Sequence, residues 1–392
     1  MSRLELIQLK SIAELRCVAT AWDDLWARSD CELPNARAEL IAQWLEQFAS
    51  HSRLAILIVK DGDRMVAALS LVAERLKRVV TVGNLTGNSW SPCGELLIDR
   101  DCDVEAALAR LVDGIAGLPW PLVWFNTVPL EFWRWQKLAL VARQRGLETT
   151  TKVRYCIAQM EIEHDWEAYL RGRSRNHRRA MRRAMTRAEK AGGVELKVFS
   201  PPASNEIEPL MQRGFAVEDR SWKGAEGTSV LRSPGMFEFL CRQARQLAAW
   251  RQLELVYLEH QGKVIAFQYS CNAKGMHFVN KIGYDPEYAN FAPGQLIRWL
   301  LFEKFQSDPA RRVVDFIGPV TEATAKWATR TYPIGRLIIA PPRLFSRAVL
   351  RGYSAWESRF GQPCLEPLTR SGEIETDDAE ASDARELVGM ET

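Results

Sequence analysis

The spacing of apolar positions switches between a helical and a strand period in the same order twice along the chain. In the first half, helical spacing over Ile12–Arg28 and Ala38–Phe48 gives way to an apolar run, Arg53–Lys60. A turn at Asp61-Gly62 and a second run, Arg64–Val72, make that a hairpin. The first helix sets Trp22 and Trp26 four apart, on one face. Strands around Val79–Val82 and Leu96–Ile98, a helix over Val104–Ile115, a strand Leu122–Phe125 and a helix Phe132–Arg145 complete this half. The second half repeats the order: helices Ile207–Arg220 and Met236–Ala249, then strand Leu253–Glu259, turn Gln261-Gly262 and strand Lys263–Ser270. Two helices followed by an apolar hairpin, twice over, predict duplication at the level of fold, each half of the α+β kind.

The strand period continues through Val264–Cys271 and Met276–Gly283 around a turn at Asn272–Gly275. The second of these strands runs through a loop into an apolar helix, Gln295–Phe305, with Pro293 and Gly294 at its start. Such a strand-to-helix connection presents backbone N–H groups and the positive end of a helix dipole, which suits an anionic group such as a pyrophosphate. Spacing alone also fits an ordinary connection.

Between the halves, Arg171–Lys190 carries nine basic residues and one acid. Ser174 or Asn176 is placed to cap it; Arg175, Arg179, Arg183 and Arg187 form a stripe at spacing four, with Ala180, Ala184 and Ala188 along the adjacent face. This fits a contact surface for tRNA or phosphate, or a solvated face packed through its Ala/Met side. Leu344–Phe360 mixes aromatic residues with arginine, as a helix at a membrane surface or packed on the body does.

With 392 residues, 47% hydrophobic and 26% charged, the chain has the make-up of a globular protein with room for two cores. No run reaches membrane-spanning length, and the first residues lack the apolar core of a signal peptide; the expected location is the cytoplasm. The eight cysteines are scattered, none at metal-ligand spacing, so no metal is expected. The net charge of +3 conceals a tail over 371–392 with a net −7, expected to be disordered, which leaves +10 on the body. No nucleophile elbow, P-loop or dinucleotide glycine fingerprint occurs.

Five pieces occur in order: Glu218-Asp-Arg-Ser-Trp-Lys-Gly224, Gly262-Lys-Val-Ile-Ala-Phe267, Gly283-Tyr-Asp-Pro-Glu-Tyr288, Ala292-Pro-Gly294, and Asp315-Phe-Ile-Gly318 followed by Lys326-Trp-Ala328. Together they resemble the acetyltransferase domain of the BioF2-like and CelD-like (cellulose-biosynthesis protein) group of the GNAT superfamily, akin to FemAB-type transferases. The resemblance implies two tandem GNAT-like domains, each a mixed, mostly antiparallel sheet flanked by helices. The expected bounds are 1–155 and 156–342, followed by a terminal helix over 343–370 and the acidic tail. It also implies acyl transfer from acetyl-CoA to an amine or hydroxyl of a small-molecule or glycan-precursor acceptor in exopolysaccharide or cell-envelope biosynthesis. In the GNAT plan two parallel strands splay around the thioester; those would be His277–Tyr284 and Arg312–Ile317. Ile282, Gly283, Ala292, Gly294 and Gln295 would then hold the donor, and Trp222, Lys223, Tyr284 and Trp327 the acceptor. Glu218, Asp219 and Lys326 are the candidate catalytic groups. The loop departs from the superfamily's Gln/Arg-x-x-Gly-x-Gly/Ala pattern at Ala289 and Ala292, and Pro293 removes an N–H. That departure keeps two alternatives open: an aminoacyl-tRNA-dependent FemAB-type transferase, and a non-catalytic scaffold with the same fold.

Overall fold

The computed structural model describes residues 4–76 and 79–360, so the tail expected over 371–392 lies outside the described residues. Thirteen strands are β1 (Glu5–Leu9), β2 (Leu54–Asp61), β3 (Arg64–Leu76), β4 (Val80–Leu85), β5 (Leu96–Ile98), β6 (Val123–Pro129), β7 (Glu148–Glu161), β8 (Glu195–Phe199), β9 (Leu253–His260), β10 (Lys263–Ala273), β11 (Met276–Tyr284), β12 (Val313–Pro319) and β13 (Arg330–Ala340). The chain divides into two compact units, one made of the chain up to Cys156 plus the segment beginning at Tyr332, the other of Ile157–Thr331. β13 pairs antiparallel with β6, Ile338 opposite Trp124, so its ladder ties it to the first unit.

In the first unit the strand order is β1-β2-β3-β4-β6-β13, continued by the start of β7, with β5 paired to β3. Apolar alternation in the β2–β3 hairpin buries Leu57, Val59, Ala67 and Leu69 against the helices Val104–Gly117 and Trp133–Gln144. The expected helix Ile12–Arg28 is two, Ile12–Cys17 and Ala19–Arg28, because the backbone leaves the helical region at Val18. Trp22 and Trp26 do share a face, and their indole N–H groups donate to the carbonyls of Ala36 (2.9 Å) and Leu33 (3.0 Å). Each buried ring thereby keeps a hydrogen bond.

In the second unit the order is β7-β12-β11-β10-β9-β8. One face packs on the helix Pro293–Gln306 through Leu296, Leu301 and Phe302, and on the arginine helix Arg175–Lys190 through Met181, Ala184 and Ala188. Ser174, as expected, caps the arginine helix, but Ala180 is exposed: the buried stripe runs His177, Met181, Ala184, Ala188, which is the helix's own 3.6-residue spacing. The other face takes the helix Ile207–Asp219, where Phe215 meets Phe267 edge-on at 5.3 Å. Gly214 permits that approach; a Cβ there would lie 2.3 Å from the Phe267 ring.

Each unit has one parallel pair, β4 with β6 and β11 with β12, and in each a helix connects the two strands. That crossover is the element that places the site.

Candidate active site

β11 and β12 run parallel for three residue pairs, Met276 with Val313, His277 with Val314 and Phe278 with Asp315, and then part. Both strands carry an irregularity at the parting. On β11, Val279 lies opposite Ser270 and Lys281 opposite Tyr269, which leaves Asn280 as a bulge. On β12, Asp315 pairs with Gln159 and Pro319 with Ile157, so Phe316, Ile317 and Gly318 crowd opposite the single Ala158. Ile317 takes a left-handed backbone (φ 58) that a β-branched residue adopts only under constraint. The constraint is Asp315: its Oδ1 accepts from the Ile317 N–H at 2.7 Å, while its Oδ2 accepts from Gln159 Nε2 at 2.6 Å. Arg330 Nε in turn donates to Gln159 Oε1 at 2.8 Å. The parting thus leaves an edge of β11 with no β12 partner, a polar vertex at Asp315 and Gln159, and the bulged Asn280, whose Nδ2 donates to Cys271 Sγ at 3.3 Å.

Beyond the edge, Asp285 caps a short 3-10 turn, Pro286–Phe291, and Ala292 turns left-handed (φ 50) into the helix Pro293–Gln306. No side chain caps this helix and no acid stands in its first turn; Pro293 has no N–H and the Gln295 N–H donates to the Ala292 carbonyl at 2.9 Å, so the helix start offers an anion its dipole and the Gly294 N–H. Gly294 lies beside the Tyr284 ring, where a Cβ would make ordinary contact at 3.5 Å. The counterpart in the first unit is closed. Asp103 caps the helix Val104–Gly117, accepting from Ala106 N–H, and Glu105 follows in its first turn. Between β4 and β6, Asn84 Oδ1 accepts from the N–H of Asn126 at 3.3 Å, spanning the gap. Carboxylates at a helix start repel a phosphate, so of these two helix starts the one in the second unit suits an anion.

The other flank of the edge is built by the helix Ile207–Asp219 and the turn after it. Gly283 packs on Glu218, where a Cβ would lie 2.8 Å from the Glu218 Cα. Glu218 is 2% exposed; its Oε1 accepts from Lys223 Nζ at 2.8 Å and its Oε2 from the Val230 N–H at 3.2 Å. Lys223 Nζ also stands 3.5 Å from the Ile282 carbonyl. So Glu218, Lys223, Ile282 and Gly283 gather at one place. Asp219 turns away to Ser229 Oγ (2.5 Å) and Arg232 Nε (2.7 Å), and the Arg232 guanidinium, with that hydroxyl, holds its carboxyl below the usual range. Trp222 is half-buried at the start of the short helix Trp222–Ala225.

Lys326 is exposed and pairs with Glu322 at 2.9 Å on its own turn. Trp327 is fully buried, donates to Gln295 Oε1 at 2.6 Å, and meets the His177 ring edge-on at 4.7 Å. It holds the first turn of the donor helix in place, and its ring faces no solvent. Sequence reasoning missed Gln159, Asn280 and Arg330, none of which lies in a glycine-marked motif; an alternation of side chains on β7 was the only signal for the first.

His177 is buried with no hydrogen-bond partner for Nε2, and burial, reinforced by Lys326 and Arg173, lowers its pKa to about 4. His277, fully buried, is shifted in the same direction by burial and by Arg311. The unfolded chain binds protons at the ordinary histidine pKa and the folded chain does not, so stability is complete above about pH 6.5 and is lost toward pH 4. Urea unfolding is expected to lose about 2 kcal/mol of stability between pH 7 and 5 from His177, a share that His177→Phe removes.

Among the described residues no group of histidine, cysteine, aspartate and glutamate could hold a metal ion, and no helix is long and apolar enough to cross a membrane. Residues 175–324 match the family described as Acetyltransferase (GNAT) domain. No curated protein matches the chain in sequence. In structure the chain is similar to FemX, at 10% identity over 91% of this chain and 100% of that one, with a TM-score of 0.55. It is also similar to the C-terminal domain of a protein described as a lysylphosphatidylglycerol synthetase from Agrobacterium fabrum, at 11% identity over 88% and 98%, with a TM-score of 0.52. At these identities the likeness is one of fold. The family match thus lies within the second unit, where residues 175–324 have the sequence of a GNAT domain, and the α+β fold of the chain, two compact units with mixed, mostly antiparallel sheets flanked by helices, is similar to that of FemX.

Proposed function

We propose that this chain moves an acyl group, acetyl above others, from coenzyme A to an amine or hydroxyl. The acceptor class proposed is a small molecule or glycan precursor in the making of exopolysaccharide or cell envelope, as in the BioF2-like and CelD-like group. The observation that carries the reading is the parting of β11 from β12 beside an uncapped helix start. Coenzyme A fits that place: Gly294 leaves room, and the first turn holds no acid. When bound it supplies an activated thioester. The chain's own part is to seat the pyrophosphate at the helix start around Gly294, flanked by Ala292 and Gln295 whose N–H groups close the turn, and to offer backbone hydrogen bonds along Ile282 and Gly283 to charge developing on the carbonyl.

Of the three candidate catalytic groups we assign the proton acceptor to Glu218, because with its partner Lys223 it packs on Gly283 of the open β11 edge, whereas Asp219 turns away to Arg232 and Lys326 pairs with Glu322 on its own turn. Lys223 pairs with Glu218 at 2.8 Å and, with Trp222 and Tyr284, borders the acceptor. Release of coenzyme A thiol, followed with a panel of amines and amino sugars, tests this. Glu218→Gln is expected to lower kcat by about 10²–10³ while acetyl-CoA binding is retained. Full activity in Glu218→Gln would refute the assignment.

A second reading has its own observation. Arg187 Nε donates to the Asn290 carbonyl at 2.7 Å, which sets the arginine helix beside the donor loop, with Arg179, Arg182 and Arg183 exposed along it. A donor richer in phosphate, aminoacyl-tRNA, would use that stripe. Transfer from charged tRNA that is abolished by ribonuclease, with none from acetyl-CoA, would favour it.

A further inference from the structure

The helix Leu344–Phe360 packs on the first unit with one face only. Its inner face sets Leu350 among Val82, Trp124 and Ile338, and Tyr353 edge-on to Trp124 at 4.6 Å. Its outer face is apolar: Leu344, Phe345, Ala348, Ala355 and Trp356 are all exposed, with Arg351 among them. Leu344 is 86% exposed and Phe345 65%. Glu357, the helix's one acid, points inward to Lys152 (2.9 Å) and Arg336 (3.4 Å). The outer face therefore carries no acid, while Arg343 and Arg359 flank it, both exposed.

The strand register adds a neighbour. β4 runs parallel to β6, Gly83 opposite Val123, and β13 runs antiparallel to β6, Ile339 opposite Val123. The start of β4 and the end of β13 are thus at the same end of the sheet. Val79, just before β4, is 85% exposed there, and Leu76 and Val80 pack with Val349 of the helix. The three most exposed large hydrophobic side chains among the described residues, Val79, Leu344 and Phe345, lie at this one end.

Water disfavours a clustered apolar surface of this kind, and the arginines on and beside the helix, with Glu148 taken up by Arg347 and Glu74 bonded to Asn84, select what covers it. A second copy of the chain would bring arginine against arginine across a twofold axis. We propose that this end of the first unit docks on an anionic phospholipid surface, with Leu344, Phe345 and Val79 entering the headgroup boundary and Arg343, Arg351 and Arg359 meeting lipid phosphates. An amphipathic helix with an apolar face and arginines along it is the element that lies in such an interface.

The test is co-sedimentation of the full-length protein with phosphatidylcholine vesicles that contain or lack phosphatidylglycerol. Binding is expected to require phosphatidylglycerol and to weaken in high salt. The double substitution Leu344→Asp with Phe345→Asp should lower partitioning at least about tenfold, and Arg351→Glu about tenfold. These side chains are exposed, so thermal midpoints should match the wild type. Absence of vesicle binding, equal binding to neutral vesicles, or unchanged binding in both variants would overturn the proposal. So would a wild-type dimer that the double variant converts to monomer without any vesicle binding, which would assign the face to a second copy.

Discussion

Gly224→Ala is expected to cost about 3 kcal/mol of stability and to abolish turnover by pushing the Trp222–Ala225 turn off the end of the helix before it. A Cβ at this position would lie 1.7 Å from the Asp219 carbonyl oxygen and 2.7 Å from its carbon, both backbone atoms with nowhere to move. The backbone at Gly224 is an ordinary one, so the constraint is space and not dihedral freedom. Asp219 is fixed in addition by Ser229 and Arg232, and Ser221 caps the turn by accepting from the Lys223 N–H at 3.3 Å. The displacement would therefore fall on Lys223 and break its contact with Glu218. Urea unfolding together with thiol-release kinetics checks it: a wild-type midpoint in the variant would show that the turn is not packed as described.

Asp315→Ala is the second large effect. The carboxylate holds two groups, the Ile317 N–H and the Gln159 amide, and it is 2% exposed, so its removal leaves both without their acceptor. That loss is about 2–3 kcal/mol. The left-handed Ile317 itself costs about 1–2 kcal/mol, and without Asp315 the chain relieves it by relaxing the crowded turn at Phe316–Gly318. β12 then extends its pairing along β11 and the parting closes. Acetyl-CoA binding should be lost, while net destabilisation stays near 2 kcal/mol because relieved strain offsets part of the lost bonding. Asp315→Asn keeps an acceptor for the Ile317 N–H and should keep binding. If Asp315→Ala binds acetyl-CoA as the wild type does, the vertex does not hold the site open.

The elements legible in the sequence are those with clean periods. The hairpins of β2 with β3 and of β9 with β10 stand out because runs of Val, Ile and Leu meet at Asp-Gly or Gln-Gly turns. β7 went unread, since Val153, Tyr155 and Ile157 alternate with Lys152, Arg154 and Cys156 and most of the strand before Ile157 is half-buried, a weaker signal than an apolar run. β13 was hidden in the same way by Arg330, Thr331 and Arg336, and with it the return of the chain to the first unit. The donor helix and the strand leading to it were visible from Gly283 to Gly294, but the two distortions that open the strands were not. The bulge at Asn280 carries no glycine, and the crowding at Phe316–Gly318 arises from the pairing of β12 with β7, strands far apart in sequence. Lys326 and Trp327 look alike as a site-facing pair in the sequence; three-dimensional packing sends the first to Glu322 and buries the second under the donor helix.

The central claim is one donor site per chain, at the parting of β11 and β12, and isothermal titration of the full-length protein with acetyl-CoA tests it most directly. The account predicts micromolar binding at one equivalent per chain, retained in Gly294→Ala, whose methyl meets the Tyr284 ring at an ordinary 3.5 Å, and lost in Gly294→Trp, whose indole fills the space. No binding, or two equivalents per chain, would contradict it.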